Sequence, residues 1–186
     1  MTRERKKESA RNSSKRIETG KSNYQIDLMT PDSWPDVARI YLEGIATKQA
    51  TFETKVPSWN AWDVAHRKDC RLVAKLNNKI VGWVALSNFS SRCVYAGVAE
   101  VSIYIDAEFR GQGIGNLLME ALIAASEEEG IWTLLSGIFP ENSASIHLHK
   151  KYGFMIMGIE ERIGKMDDTW RDVVKLQRRS KIAGID

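Results

Sequence analysis

Residues 109–120 read FRGQGIGNLLME, directly after VSIYIDAE at residues 101–108. An apolar strand therefore ends, three glycines fall within five residues, and a helical stripe begins at Ile114. Ile114, Leu117, Leu118, Ala121, Leu122 and Ala125 recur at helical spacing and give that helix one apolar face. A helix start carries N–H groups without intrahelical acceptors, together with the positive end of the helix dipole. Glycines there remove the Cβ atoms that keep a phosphate from the backbone, and Arg110 adds a fixed positive charge. The segment thus predicts an anion-binding junction of strand and helix. It is not a dinucleotide-binding fingerprint, because the G-x-G-x-x-G spacing is missing. It is not a P-loop either, because no Gly-Lys-Ser/Thr follows.

The rest of the chain organises around this junction. Tyr24 to Met29 alternates as a first strand, and Thr30 and Pro31 predict an N-cap and a first helical residue. Residues 48–57 read as a loop, and 58–68 as a short helix. RLVAKL and KIVGWVAL, separated by Asn77-Asn78, predict a hairpin. A polar loop leads to the strand VAEVSIYID. After the glycines and their helix, which Gly130 ends, residues 131–139 predict a buried strand and 142–152 a short helix. Two further strands follow, at 153–164 and 169–179. The order is β-α-α-β-β-β-α-β-α-β-β, which implies one mixed sheet with helices on its faces.

Composition narrows the function classes. The 186 residues suit one domain, with 43% hydrophobic and 27% charged residues, as in soluble globular proteins. The two cysteines, Cys70 and Cys93, stand in no metal-ligand spacing, so neither a disulfide framework nor a metal site is expected. No apolar run approaches the ~18 residues of a membrane helix, and no secretory signal is expected. A cytoplasmic protein fits. The net charge of +3 hides an asymmetry, since residues 1–21 hold eight Lys/Arg against three Glu. Residues 1–22 are expected to form a disordered basic tail, with residues 23–180 as the folded domain. Nucleic acid is not an expected partner, except through that tail.

Arg110 to Gly115 matches the R/Q-x-x-G-x-G/A signature of the GNAT superfamily of acetyl-CoA-dependent N-acetyltransferases. NSASIHLHKKYGF, Asn142 to Phe154, resembles that family's second motif, about thirty residues downstream. Within the superfamily, AEVSIYIDAEFRGQGIG, ATFET and SIHLHKKYGF resemble the phosphinothricin/methionine sulfone acetyltransferase branch. The resemblance covers roughly residues 23–178. It implies a mostly antiparallel sheet of about seven strands, splayed at the cofactor strand, with helices on both faces. It also implies acetyl-CoA as co-substrate, a small-molecule amine acceptor, no metal and a homodimer.

The resemblance further assigns residues. Glu100, on the strand face of Ser102 and Tyr104, would be the general base; without the family it would read as a surface glutamate. The backbone of Ile103, Tyr104 and Ile105 would pair with the pantetheine arm. Arg110, Gly111, Gln112, Gly113, Ile114 and Gly115 would hold the pyrophosphate. Asn142 and Ser145 would touch the cofactor arm, and Asn142 also suits an N-cap. His149 would protonate the leaving thiolate or hydrogen-bond the cofactor, with Tyr152 as a rival acid. Phe52, Arg92 and Tyr95 would line the acceptor site, Arg92 gripping an acid group or standing as an exposed loop charge. Trp34, Trp59 and Trp62 suit either a pocket wall or the core.

The expected activity is acetyl transfer to the primary amine of a small amino-acid-like compound of the phosphinothricin, methionine sulfoximine or methionine sulfone type. Two alternatives stay open: another amine, such as a peptide N-terminus, polyamine or antibiotic, and a non-catalytic acetyl-CoA-binding module.

Overall fold

Asn77 and Asn78 both adopt left-handed backbone, with φ of 48° and 69°, which suits the tight turn of a hairpin. They close β2 (Leu72–Leu76) onto β3 (Lys79–Asn88). Strand β1 (Tyr24–Leu28) pairs antiparallel with β2, and β4 (Val98–Ile105) pairs antiparallel with β3. The chain then crosses through α3 (Ile114–Glu128) to β5 (Thr133–Ile138), which lies parallel to β4. Helix α4 (Ser143–Lys151) leads to the antiparallel pair β6 (Met155–Met166) and β7 (Thr169–Arg179). The sheet order is β1-β2-β3-β4-β5-β7-β6. This is the mixed sheet that the order of elements implies, and it is mostly antiparallel, as the resemblance implies. The computed structural model describes residues 23–185; the basic tail expected at residues 1–22 lies outside them.

Helices cover both faces. On one, Leu118, Met119 and Leu122 of α3 bury against Val84, Leu86 and Val101. On the other, α1 (Trp34–Ala46) and α2 (Trp59–Ala65) place Val37, Ile40, Tyr41 and Trp62 against Val73, Trp83 and Ala85. Each such large apolar side chain contributes about 1.5–3 kcal/mol by leaving water. Trp62 is thus core, with Trp34 and Trp59 packed on its rim.

The start of α1 differs from the sequence expectation. Residues Pro31–Ser33 form a separate 3-10 turn, and the α-helix begins at Trp34. The second proline of the segment, Pro35, has no N–H to donate back to Pro31, so an α-helical first turn cannot close there. Thr30 caps the turn, its N–H donating to Ser33 Oγ at 3.1 Å.

One relationship in the sheet positions everything that follows. Strands β4 and β5 pair only from Val98 to Glu100 and from Thr133 to Leu135. Beyond Leu135, β5 stays with β7 as far as Ile138, while β4 stays with β3 as far as Ile105. The two parallel strands part at Glu100, and the gap between them opens a cleft.

Candidate functional site

The ladder register determines which backbone groups face the cleft. Phe89 N–H donates to the Val98 carbonyl, and Asp106 N–H to the Val81 carbonyl. In an antiparallel pair, residues alternate between bonding their neighbour and pointing away from it. Glu100, Ser102 and Tyr104 therefore bond to β3, and Val101, Ile103 and Ile105 turn their amides and carbonyls toward the gap. Of the three residues expected to pair with a cofactor arm, Ile103 and Ile105 have the right orientation, whereas the backbone of Tyr104 belongs to β3. The Tyr104 side chain points to the other face, stacked on Trp83 with ring centroids 4.8 Å apart, and burial pushes its hydroxyl pKa up.

At the end of β4 the chain turns a fixed corner. Buried Asp106 accepts from the Glu108 amide at 3.0 Å and from Arg39 Nη1 at 2.9 Å. Burial acts to raise its pKa. The Glu108 amide, the Arg39 hydrogen bond and the charges of Arg39 and Lys79 outweigh this and hold the carboxyl below its ordinary value. Glu43 of α1 accepts from the Ala107 amide at 3.0 Å and so secures the same corner. Nothing in the sequence alone singled out Arg39 or Asp106, because their pairing spans the fold.

The glycine segment follows. Gly111 and Gly113 have φ of +75° and +86°, and a Cβ added to either would meet no atom within 4 Å. Gly113 is the N-cap of α3; the Asn116 and Leu117 amides donate back to its carbonyl, which leaves the Ile114 and Gly115 amides without an intrahelical acceptor. The first cavity of the cleft, about 520 Å³, is lined by Ile103, Ile105, Arg110, Gly111, Gly113 and Gly115, among others. Its lining, with Arg110 and the glycines at one place and Ile103 and Ile105 at another, offers both an anion site and an apolar strand edge. Ile114 contributes backbone only, its side chain being buried in the core. The Gln112 side chain turns away, donating to the Glu108 carbonyl at 3.1 Å and accepting from the Tyr24 hydroxyl at 2.8 Å. Gly115 meets a separate need: an added Cβ would come within 3.1 Å of Leu148 on α4.

Helix α4 supplies the far wall. Asn142 is its N-cap, with Oδ1 accepting from Ser145 N–H at 3.2 Å, and its Nδ2 reaches the Gln49 carbonyl at 3.2 Å. Asn142 and Ser145 line the first cavity and also a second, of about 370 Å³. His149 lines only the second. It is 1% exposed, with Nδ1 2.8 Å from the Ser145 carbonyl. That contact assigns the proton to Nδ1 and leaves a lone pair on Nε2, which has no partner among the described residues. Burial lowers the ring's pKa, against the raising effect of the Ser145 carbonyl, so the imidazole is neutral. Tyr152, the rival acid, packs against the core beside α3 and lines neither cavity.

The second cavity also holds Phe52, Glu53, Ser87, Glu100, Ser136 and Lys175. The two cavities share Gln49, Ala50, Ile103, Tyr104, Asn142 and Ser145, so they are two arms of one cleft. Phe52 sits edge-on to Phe139, with ring centroids 4.8 Å apart. Arg92 and Tyr95 are not brought to the cleft. They lie exposed on the loop before β4, the guanidinium 5.7 Å from the tyrosine ring. Lys175, which belongs to neither motif, lies in the cavity instead. Its signal was a charge set between Val174 and Leu176, both buried. Among the described residues no group of three or more His, Cys, Asp or Glu converges on a metal site.

A model of the Acetyltransferase (GNAT) family matches residues 33–154. The phosphinothricin N-acetyltransferase of Alcaligenes faecalis is 29% identical over 173 residues, covering 87% of this chain and 85% of its own. The L-methionine sulfoximine/L-methionine sulfone acetyltransferase of Pseudomonas paraeruginosa is 28% identical over 149 residues, covering 77% of this chain and 87% of its own. The crystal structure of a ribosomal-protein-alanine N-acetyltransferase from Brucella melitensis superposes with a TM-score of 0.78 at 26% identity. It covers 83% of this chain and 99% of that one.

Proposed function

The chain belongs to the GNAT family of acetyltransferases, and from that premise we propose that it moves acetyl from acetyl-CoA to the primary amine of a small amino-acid-like acceptor. The observation that carries this reading is the two-armed cleft. An open glycine cradle leads along the free edge of β4 into a polar cavity that contains Glu100 and His149.

In this reading the pyrophosphate rests on the amides of Gly111 to Gly115 beside Arg110. The pantetheine arm runs along Ile103 and Ile105, and the thioester reaches the boundary that the two arms share. Glu100 takes a proton from the acceptor's ammonium, directly or through one water, to expose the lone pair. The nitrogen attacks the acetyl carbon, and a main-chain N–H of the splayed strand steadies the oxyanion. As the C–N bond forms, Nε2 of neutral His149 takes the second amine proton. As the C–S bond breaks, the ring returns that proton to the thiolate. The net products are the amide, free coenzyme A and one proton left on Glu100 for solvent.

The test is release of free thiol from acetyl-CoA against a panel: phosphinothricin, methionine sulfoximine, methionine sulfone, polyamines and short peptides. Turnover of the amino-acid analogues supports the reading, and Glu100→Gln should then lower kcat by about 10²–10⁴-fold while acetyl-CoA binds as before. Binding of acetyl-CoA without turnover of any amine overturns it in favour of a binding module. Peptides with N-terminal alanine belong in the panel because one structural neighbour bears that activity in its name.

The same reading takes the protein as a cytoplasmic homodimer. Two free thiols and no helix among the described residues able to cross a membrane are in keeping with that location. Support for the dimer comes from β6, one of the two edge strands of the sheet. It exposes Met155, Ile156, Met157 and Ile159, an apolar edge that a second copy would cover by strand pairing. Light scattering that returns a monomer mass at micromolar concentration would overturn the dimer.

A further inference from the structure

Three adjacent strands place an acid, a gap and a base in one row. Glu100 closes the paired part of β4 opposite Leu135 of β5. Two residues further along β5, Gly137 stands directly opposite Lys175 of β7. Period-two alternation puts Leu135 and Gly137 on the same face. A Cβ built on Gly137 would lie 3.6 Å from Glu100 Oε1 and 3.5 Å from Lys175 Nζ. The carboxylate and the ammonium therefore overhang the same bare glycine from opposite sides, no farther apart than the sum of those distances. They are not in contact: among the described residues the ion partner of Lys175 is Glu160, at 4.0 Å. That pair is half open to solvent, where an ion pair is worth little. Lys175 is thus a cation in the acceptor cavity with its hydrogen-bonding capacity unspent.

We propose that Lys175 is the anion anchor of the acceptor cavity, so that the acceptor is an amine carrying a carboxylate or similar acid on the neighbouring carbon. This rests on the acetyl-transfer reading above. An α-amino acid is itself a short dipole. Its ammonium end fits beside Glu100 and its carboxylate end beside Lys175, with the span between them lying above Gly137, where even a Cβ would meet Val173 Cγ1 at 3.1 Å. The row explains why Arg92, exposed on its loop, is not needed as the acid clamp. It also sets a selectivity. A polyamine places a second cation where Lys175 stands, and a peptide N-terminus has an amide where the carboxylate should be; both lose the contact.

The experiment compares matched pairs, each amino acid against its own carboxamide, by steady-state kinetics with saturating acetyl-CoA. The wild-type enzyme should prefer the acid. Lys175→Gln should lower the acid-to-amide ratio of kcat/KM by about tenfold or more, the range of a lost charge-assisted contact. The KM for acetyl-CoA should stay unchanged, and the amide's own kcat/KM should fall by less than the acid's. Lys175→Arg should restore most of the preference, and Lys175→Glu should invert it toward the amide. Glu160→Gln separates the anchor from a plain ion pair: the acid preference should persist or grow, because the lysine loses its competitor. An unchanged ratio in a folded Lys175→Gln enzyme that still turns over amines overturns the anchor while leaving acetyl transfer standing. Wild-type enzyme that acetylates neither member of any pair overturns the transfer reading and the anchor with it.

Discussion

Asn142 is bound at both ends of its amide: Oδ1 accepts from the Ser145 amide at 3.2 Å, and Nδ2 donates to the Gln49 carbonyl at 3.2 Å. One side chain thus starts helix α4 and ties the loop after α1 across the cleft. The two duties separate by substitution. Asn142→Asp keeps the accepting oxygen and loses the donor, whereas Asn142→Ala loses both. Denaturant unfolding should show Asn142→Ala destabilised by about 1 kcal/mol, the usual cost of a lost N-cap, with Asn142→Asp near wild type. Amide exchange at residues 48–52 should quicken in both. Equal stability loss in the two variants would show that the cap is not what Asn142 contributes.

The anion cradle gives a prediction with two separable parts. Gly113 holds φ of +86° with empty space around the position of a Cβ. Gly113→Ala therefore meets no clash, and its cost is the left-handed backbone alone, about 1–2 kcal/mol. The new methyl stands where the pyrophosphate would lie. The KM for acetyl-CoA should rise about tenfold or more, while a truncated acetyl thioester without pyrophosphate should be used as well as before. Equal losses on both donors would place the pyrophosphate elsewhere.

Local spacing carried the elements, and long-range register decided the site. The turn at Asn77-Asn78, the α3 stripe and the cap at Asn142 each depend on residues a few positions apart, so they were legible in order. The parting of β4 and β5 depends on β5 finding β7 along its whole length, and no spacing within either strand encodes that. For the same reason Arg92, which has suitable chemistry, lies away from the cleft, while Lys175 enters it. Its place depends on pairing with Gly137 across two strands. Tyr104 shows the finer limit: alternation gave its face correctly, but only the register with Trp83 reveals that its backbone is already bonded.

His149 should leave a mark on the pH dependence of stability. Burial lowers its pKa from the ordinary 6.5. Above that value the ring is neutral in both folded and unfolded chains and contributes no slope. As the pH falls below 6.5, the unfolded chain binds a proton that the folded site resists, so stability is lost. His66 is shifted the same way, burial again being the largest cause, so the variant is needed for assignment. Unfolding measured at pH 7 and pH 5 should show a smaller loss in His149→Gln than in wild type. Parallel losses would mean that the ring takes up its proton without resistance, and that its neutral state is not enforced by the fold.

Gly44 tests whether packing or helix propensity governs α1 beside the cleft. It lies inside that helix, where glycine costs roughly 0.8–1.0 kcal/mol relative to alanine. Propensity alone makes Gly44→Ala stabilising. The added Cβ, however, would come within 2.6 Å of two Tyr104 ring carbons. That ring cannot easily withdraw, being stacked on Trp83 and edge-on to Tyr41 at 4.9 Å. Overpacking of this kind costs typically about 1–3 kcal/mol, which outweighs the propensity gain. Gly44→Ala should lower the thermal midpoint, and Gly44→Ala with Tyr104→Leu should recover part of the loss by removing the ring. The recovery matters for function because Tyr104 lies between Ile103 and Ile105 on the strand that borders both arms of the cleft. A single variant more stable than wild type would mean that β4 yields locally, and that the splay on which the cleft depends is softer than its aromatic backing implies.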